Sequence, residues 1–287
     1  MAYTSVKALV DAELAGQSAF HTFRKVPNQA TAAGVWFDLS MSPGNPVPNY
    51  YAATAVTSVA MRQSVQGGIP HGGNVAQLGQ SKYVKTIMAM TQTATAAPLP
   101  MILCDYQLFY PFVDMSITDW QAMTNTVALP RPTATPPQIM AVIVAAPTGA
   151  SIRFRVQYTN SAGVTGRLTP LVSTTTQIVN GTIISGSPAT ALSAGPFLPL
   201  QPGDRGVSAI EAVQFQTADV GLLSFVLVSP VESLAIRTID APVERVPFTD
   251  MADMPIIVDD AYLNLICYPN GSLQNANING YLQTVWG

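Results

Sequence analysis

Charge is scarce in this chain of 287 residues: Asp, Glu, Lys and Arg make up 10% of it, against about 25% in an ordinary soluble domain. Thirteen basic residues stand against 16 acids, for a formal net charge of −3. That balance offers no phosphate-tracking stripe and no polybasic anchor, so neither nucleic acid nor a membrane surface is expected as a direct partner. Histidine occurs twice, at His21 and His71. Metal sites need clustered His, Cys or carboxylates, so zinc is not expected. Cysteine also occurs twice, at Cys104 and Cys267, each inside an apolar run where a thiol behaves as a small buried hydrophobe. Whether the two approach each other is open at the level of sequence.

Uninterrupted apolar segments of membrane-spanning length are missing too. The least charged stretches, 86–104 and 168–203, are broken by Pro and filled with Thr, Ser and Gln. The amino terminus, Met1-Ala-Tyr-Thr-Ser-Val-Lys7-Ala-Leu-Val-Asp11-Ala-Glu13, has early acids and a short apolar stretch, unlike a secretory signal. Export is therefore not expected.

What the chain has is apolar mass and a change of period. Hydrophobic residues are 48% and the mean hydropathy is +0.27, enough to bury a large core. From Ser5, apolar residues at Val6, Leu9, Val10 and Leu14 trace a helical stripe, with Gly16 placed for a C-terminal cap and the face continuing through Phe20 and Phe23. A three-turn helix is marginal alone, so it is read as an arm that packs on the body or on a neighbouring subunit. Residues 1–33 form this arm and its linker, and 34–287 a β body. In the body the period becomes 2: Ile152-Arg-Phe154-Arg-Val156-Gln-Tyr158 places Ile, Phe, Val and Tyr on one face and Arg153, Arg155 and Gln157 on the other. The apolar run 139–145 is expected to pair with this strand through a short turn, and 207–216 with 222–228 likewise. Further strands are expected at 35–40, 54–61, 84–91, 101–110, 177–184, 256–268 and 280–286. With no helix–strand alternation and no fixed-period repeat, the fold expected is all-β, an antiparallel sandwich of jelly-roll type with an N-terminal helical arm. The segment Pro130-Arg-Pro132-Thr-Ala-Thr-Pro136-Pro137 is either a linker between two β subdomains or a rigid connection within one sandwich, and one domain is preferred.

Candidate chemistry is thin. Asp250, Asp253, Asp259 and Asp260 are the densest acids and could hold Ca²⁺, but they lack the spacing of a calcium loop. His71-Gly72-Gly73 resembles an esterase oxyanion segment without the Gly-x-Ser-x-Gly elbow that should accompany it. Gly67-Gly68 and Gly72-Gly73 form no phosphate fingerprint. Trp36, Trp120 and Trp286 could build a sugar platform, although aromatic residues more often fill a β core. Asn180-Gly-Thr182 and Asn270-Gly-Ser272 match the glycosylation sequon but read better as turns. No catalytic, cofactor-binding or metal-ligating residue is assigned, and no enzyme activity is expected. The long uncharged stretches rich in Ala, Thr, Ser, Gln, Asn and Pro point instead to surfaces covered by neighbours, since interface centres are depleted of charge.

The segments Gly34-Val-Trp-Phe-Asp-Leu-Ser-Met-Ser-Pro-Gly-Asn-Pro46, Leu103-Cys-Asp-Tyr-Gln-Leu-Phe-Tyr-Pro111, Gly195-Pro-Phe-Leu-Pro-Leu-Gln-Pro-Gly-Asp204 and Asp259-Asp-Ala-Tyr-Leu-Asn264, with Tyr268-Pro-Asn-Gly-Ser272, resemble those of uncharacterised virion structural proteins of tailed bacteriophages. The likeness runs from about Gly34 to the end and carries no functional residue with it. It implies assembly in the bacterial cytoplasm into a virion, as a capsid decoration or cement protein that binds the major capsid protein or other virion proteins. It also implies a homo-oligomer, with a trimer suggested by shell geometry. A tail component (tube, collar or tip) and a carbohydrate-binding adsorption protein are the alternatives.

Overall fold

The computed structural model describes residue 3 and residues 5–149, 152–173, 179–184, 195–250 and 254–287. The principal elements are α1 (Val6–Leu14), β1 (Ser18–Lys25), β2 (Lys82–Thr91), β3 (Leu99–Asp114), β4 (Gln138–Ala145), β5 (Arg153–Asn160), β6 (Val207–Phe215), β7 (Leu222–Ile236), β8 (Tyr262–Cys267) and β9 (Ile278–Trp286). The all-β expectation holds, in the form of three antiparallel sheets. The first orders its strands β2-β9-β1, with Val243–Arg245 and Ile256–Ile257 along the outer edge of β2 and Gly44–Asn45 beyond β1. The central sheet runs β8-β3-β7-β4. The third joins β5 to β6, with short strands flanking both.

The central sheet belongs to two sandwiches at once. Its long strands β3 and β7 span 16 and 15 residues. At one end Met101, Leu103, Leu234 and Ile236 pack against Ile87 and Leu282 of the first sheet. At the other end Leu108, Tyr110, Phe225 and Leu227 pack against Phe154 and Ile210 of the third. Register shifts between Leu227 and Val228 and between Pro230 and Glu232 keep both sets on the same face. The opposite face, with Cys104, Tyr106, Val226 and Val228, is covered by Met41, Tyr51, Met61 and Ile183 from irregular segments. Burial on both faces explains why 101–110 reads as an almost continuous apolar run instead of alternating. It also separates the thiols: Cys104 faces one core and Cys267 the other, and both are free.

Several expectations are corrected. The runs 139–145 and 152–158 are not a hairpin: β4 pairs with β7, and β5 with β6. The stretches 207–216 and 222–228 likewise belong to different sheets. Both pairs contribute to one core, so their strands meet face to face across it. The edges of β7 are already taken by β3 and β4, which leaves no place for β6 there. The expected strand at 54–61 contracts to Val59–Ala60, and 35–40 to Phe37–Asp38 followed by a 3-10 turn. The run 256–268 is broken by a turn in which Asp260 adopts φ +60°. Residues 177 and 178 of the strand expected at 177–184 lie outside the described residues, and Thr182 and Ile183 form isolated bridges only.

The amino-terminal helix forms as read. Ser5 accepts a hydrogen bond from the Ala8 N–H at 3.2 Å, and Gly16 follows the cap at φ +74°. Leu9 and Ala12 pack on Tyr83, Met254 and Val285 of the same chain, and Glu13 pairs with Lys85. Phe20 and Phe23 do not continue the helix. They lie on β1, hydrogen-bonded along its full length to β9, so residues 18–25 belong to the body and not to an arm. Gly280 allows this pairing, because a Cβ there would stand 2.3 Å from the Phe23 ring and closer still to the Met88 carbonyl.

Candidate functional site

Between the two cores on the shared face of the central sheet lies a polar seam. Asp105 and Ser229 are cross-strand partners there, between Leu103 and Leu108. The Pro-rich segment 130–137 crosses this seam and inserts Arg131, whose side chain is 6% exposed. Its guanidinium grips both carboxylate oxygens of Asp105, Nε at 3.0 Å from Oδ2, and donates to the carbonyls of Met61 at 2.7 Å and Tyr106 at 2.8 Å. Gln107 and the Tyr262 N–H complete the carboxylate's partners, at 2.7 and 3.0 Å. Burial pushes the Asp105 carboxyl up to about 6, and Arg131 limits the rise.

A second buried polar group adjoins it. His71 donates from Nε2 to the Ala261 carbonyl at 3.0 Å, which fixes the tautomer, and its Nδ1 accepts from Lys82 Nζ at 3.0 Å. Lys82 also donates to the Gly73 carbonyl and stands 3.8 Å from Asp259. Burial, helped by the Lys82 charge, lowers the His71 imidazole to about 4. Two cavities of about 280 and 290 Å³ flank residues 256–258, one reaching Asp105 and Ser229, the other Lys82, Arg131 and Asp259. Both ring nitrogens of His71 are engaged, and Asp105 is saturated with donors. The chemistry this seam performs is clamping: it ties the linker and the first sheet to the central sheet.

His71 carries a testable signature. Unfolded, it binds a proton below about 6.5, whereas folded it remains neutral down to about 4. Its contribution to stability is therefore present above pH 6.5 and lost as pH falls towards 4, by about 3 kcal/mol. Asp105 acts in the opposite sense, since its folded carboxyl keeps a proton that the unfolded one releases. Urea unfolding of His71→Gln beside the parent at pH 4, 5, 6 and 7 should show a stability difference that grows with pH across this window. A pH-independent difference would contradict the buried neutral imidazole.

The other sequence candidates disperse. Asp259 accepts from the backbone N–H groups of Val75 and Ala76, Asp260 from Ser64 and Arg62, and Asp250 pairs with Arg245. Asp253 lies outside the described residues. Among the described residues no three His, Cys, Asp or Glu converge as a metal ion would require. Trp36 packs on Tyr268, Trp120 lies under Arg155, and Trp286 ends β9, so they form no common platform. Asn180 and Asn270 both occupy turns or bends. Arg131 escaped the sequence reading, although a lone guanidinium between two prolines in a charge-poor segment is its visible signal.

One surface feature stands outside this interior. Val6, Val10 and Leu14 form a row on α1, 64%, 44% and 82% exposed, opposite the face that packs on the body. Phe20 on β1 is 58% exposed beside Tyr281.

No protein-family model matches the chain, and no curated protein matches it. Among solved structures, that of infectious bursal disease virus Gx strain aligns over 93% of this chain and 78% of that one, at 8% identity and a TM-score of 0.15. A likeness that slight assigns neither fold nor function.

Proposed function

We propose that the protein is a non-enzymatic structural subunit of a bacteriophage virion, a decoration or cement protein that stabilises the head through contacts with the major capsid protein and with its own copies. The observation that carries the reading is the outward apolar row of Val6, Val10 and Leu14 on a helix whose other face is already anchored. Three large aliphatics at successive turns gain nothing from water, and in a chain this poor in charge they suit a surface that a neighbour covers. A β body crossed by a buried ionic clamp is a rigid platform for such a helix. A stable contact buries on the order of 1,000 Å² or more, so the row is the centre of a larger patch.

The test combines location and substitution. Antibody labelling of imaged particles should mark heads, and labelling confined to tails would transfer the protein to a tube, collar or tip. The triple change Val6→Gln, Val10→Gln, Leu14→Gln touches only exposed positions and should shift stability by less than about 1 kcal/mol, yet it should abolish incorporation into particles. Normal incorporation of that variant would overturn the role of the row. Truncation is informative only before Ser18, because removing β1 would strip β9 of one of its two partner strands.

A further inference from the structure

A third cavity, of about 370 Å³, shares no lining residue with the seam. Its volume lies within the range of small-molecule clefts. Its lining includes Asn28, Gln29 and Asn180, the half-exposed Tyr50, and the apolar Phe37 and Phe112; Gln29 donates to Asn28 Oδ1 at 3.3 Å, which leaves the remaining amide donors and acceptors of the pair for a ligand. Among the described residues no Asp, Glu, Lys, Arg or His lines it.

The wall is held under strain. Tyr51 adopts φ +52° and Phe112 φ +57°, a region bulky side chains rarely enter. Such conformations persist where the surroundings over-determine them, and they concentrate at ligand sites. The cause at Tyr51 is visible: its hydroxyl turns inward to the carboxylate of Asp38, and its N–H bonds Asn49 Oδ1 at 2.9 Å. Tyr50 and Ala52 are thereby directed to the cavity. Asn180 is fixed from the other side. Gly181 at φ +91° lets the turn rest on the Phe37 ring, where a Cβ would come within 2.7 Å, and its carbonyl accepts from the Asp38 N–H at 2.9 Å.

We infer that this cavity binds a neutral carbohydrate, a mono- or disaccharide. Carboxamides both donate and accept, as sugar hydroxyls do, and three residues that carry them line this cavity. The electron-rich face of Tyr50 suits the C–H face of a pyranose ring. The lack of lining charge disfavours anionic or cationic ligands, whose desolvation would go uncompensated. The inference rests on this cavity alone and is independent of the assembly reading.

Saturation-transfer NMR on the intact protein, with the methyl glycosides of glucose, galactose, mannose, rhamnose and N-acetylglucosamine and with lactose and maltose, tests it. Adenosine and glucuronate serve as the planar and the anionic comparison. We expect millimolar binding of at least one neutral sugar, weakened about tenfold or more by Tyr50→Ala and by Asn180→Ala. Both variants should keep the parent unfolding temperature, and Trp120→Ala should leave binding unchanged. Silence from every neutral sugar, binding indifferent to both variants, or preference for adenosine or glucuronate would each overturn the inference.

Discussion

Replacing Arg131 with methionine is expected to destabilise the fold by about 3 to 5 kcal/mol, the usual cost of stranding one partner of a buried ion pair. Total stabilities of about 5 to 15 kcal/mol make this a loss that denaturant melts resolve without ambiguity. Two effects add. The Asp105 carboxyl, already raised to about 6 by burial, loses the cation that restrains it. The carbonyls of Met61 and Tyr106 lose their donors, at about 1 to 3 kcal/mol for each group left unpaired. The double variant Arg131→Met, Asp105→Leu removes the stranded charge and should recover part of the loss, with the two carbonyls and the Gln107 and Tyr262 donors that lose the carboxylate accounting for the rest. If Arg131→Met melts at the parent's urea midpoint, the seam is not a clamp and the rigid platform invoked for assembly loses its basis.

Substituting Asp38 with alanine is the second large effect. This fully buried carboxylate accepts from the Ser40 N–H at 2.9 Å, the Ser40 hydroxyl at 2.7 Å, the Tyr106 hydroxyl at 2.7 Å and the Tyr51 hydroxyl. Burial raises its pKa while those hydrogen bonds pull it down. Ser40 and Tyr51 stand 2.8 Å apart and can satisfy each other once it is gone. The Tyr106 hydroxyl and the Ser40 amide cannot, so a loss of about 4 kcal/mol is expected, at about 1 to 3 kcal/mol for each orphaned donor plus the cavity left behind. Asp38→Asn keeps an acceptor for two of the donors and should fall between. The loss has an address. Hydrogen exchange should accelerate at residues 39–52 ahead of global opening, because the carboxylate that ties Ser40 and Tyr51 to the central sheet is gone, while the Gly44–Asn45 pairing with β1 and the Lys25 bonds to the Ser42 and Pro46 carbonyls remain. Uniform acceleration across all three sheets would contradict a local anchor. Since the same loop directs Tyr50 to the third cavity, Asp38→Asn also links the interior network to any sugar binding there.

Legibility in the sequence followed the range of the interactions. The alternation of 152–158 appears unchanged in β5, with Phe154, Val156 and Tyr158 buried and Arg153 exposed. The cap residues Ser5 and Gly16 take the roles their chemistry dictates. The paired runs 139–145/152–158 and 207–216/222–228 misled, since spacing and turn residues suit a hairpin and two strands in facing sheets equally well. Phe20 and Phe23 misled for a related reason: over a few residues, apolar spacing fits a helical face or one side of a strand, and β9, more than 250 residues away, decides.

The sequence by itself determined a charge-poor all-β chain with a capped amino-terminal helix and a long run, 101–110, destined for burial, because periodicity, capping and composition act over a few residues. Only the tertiary structure decided that one sheet serves two cores and that the Pro-rich connection crosses the seam between them and brings Arg131 onto Asp105. It also placed Cys104 and Cys267 on opposite faces and gathered Asn28, Tyr50 and Asn180 around one cavity. Those arrangements depend on which edges and faces remain free once the long strands have paired. No local pattern encodes that competition, because its outcome is settled by the joint burial of residues scattered along the whole chain.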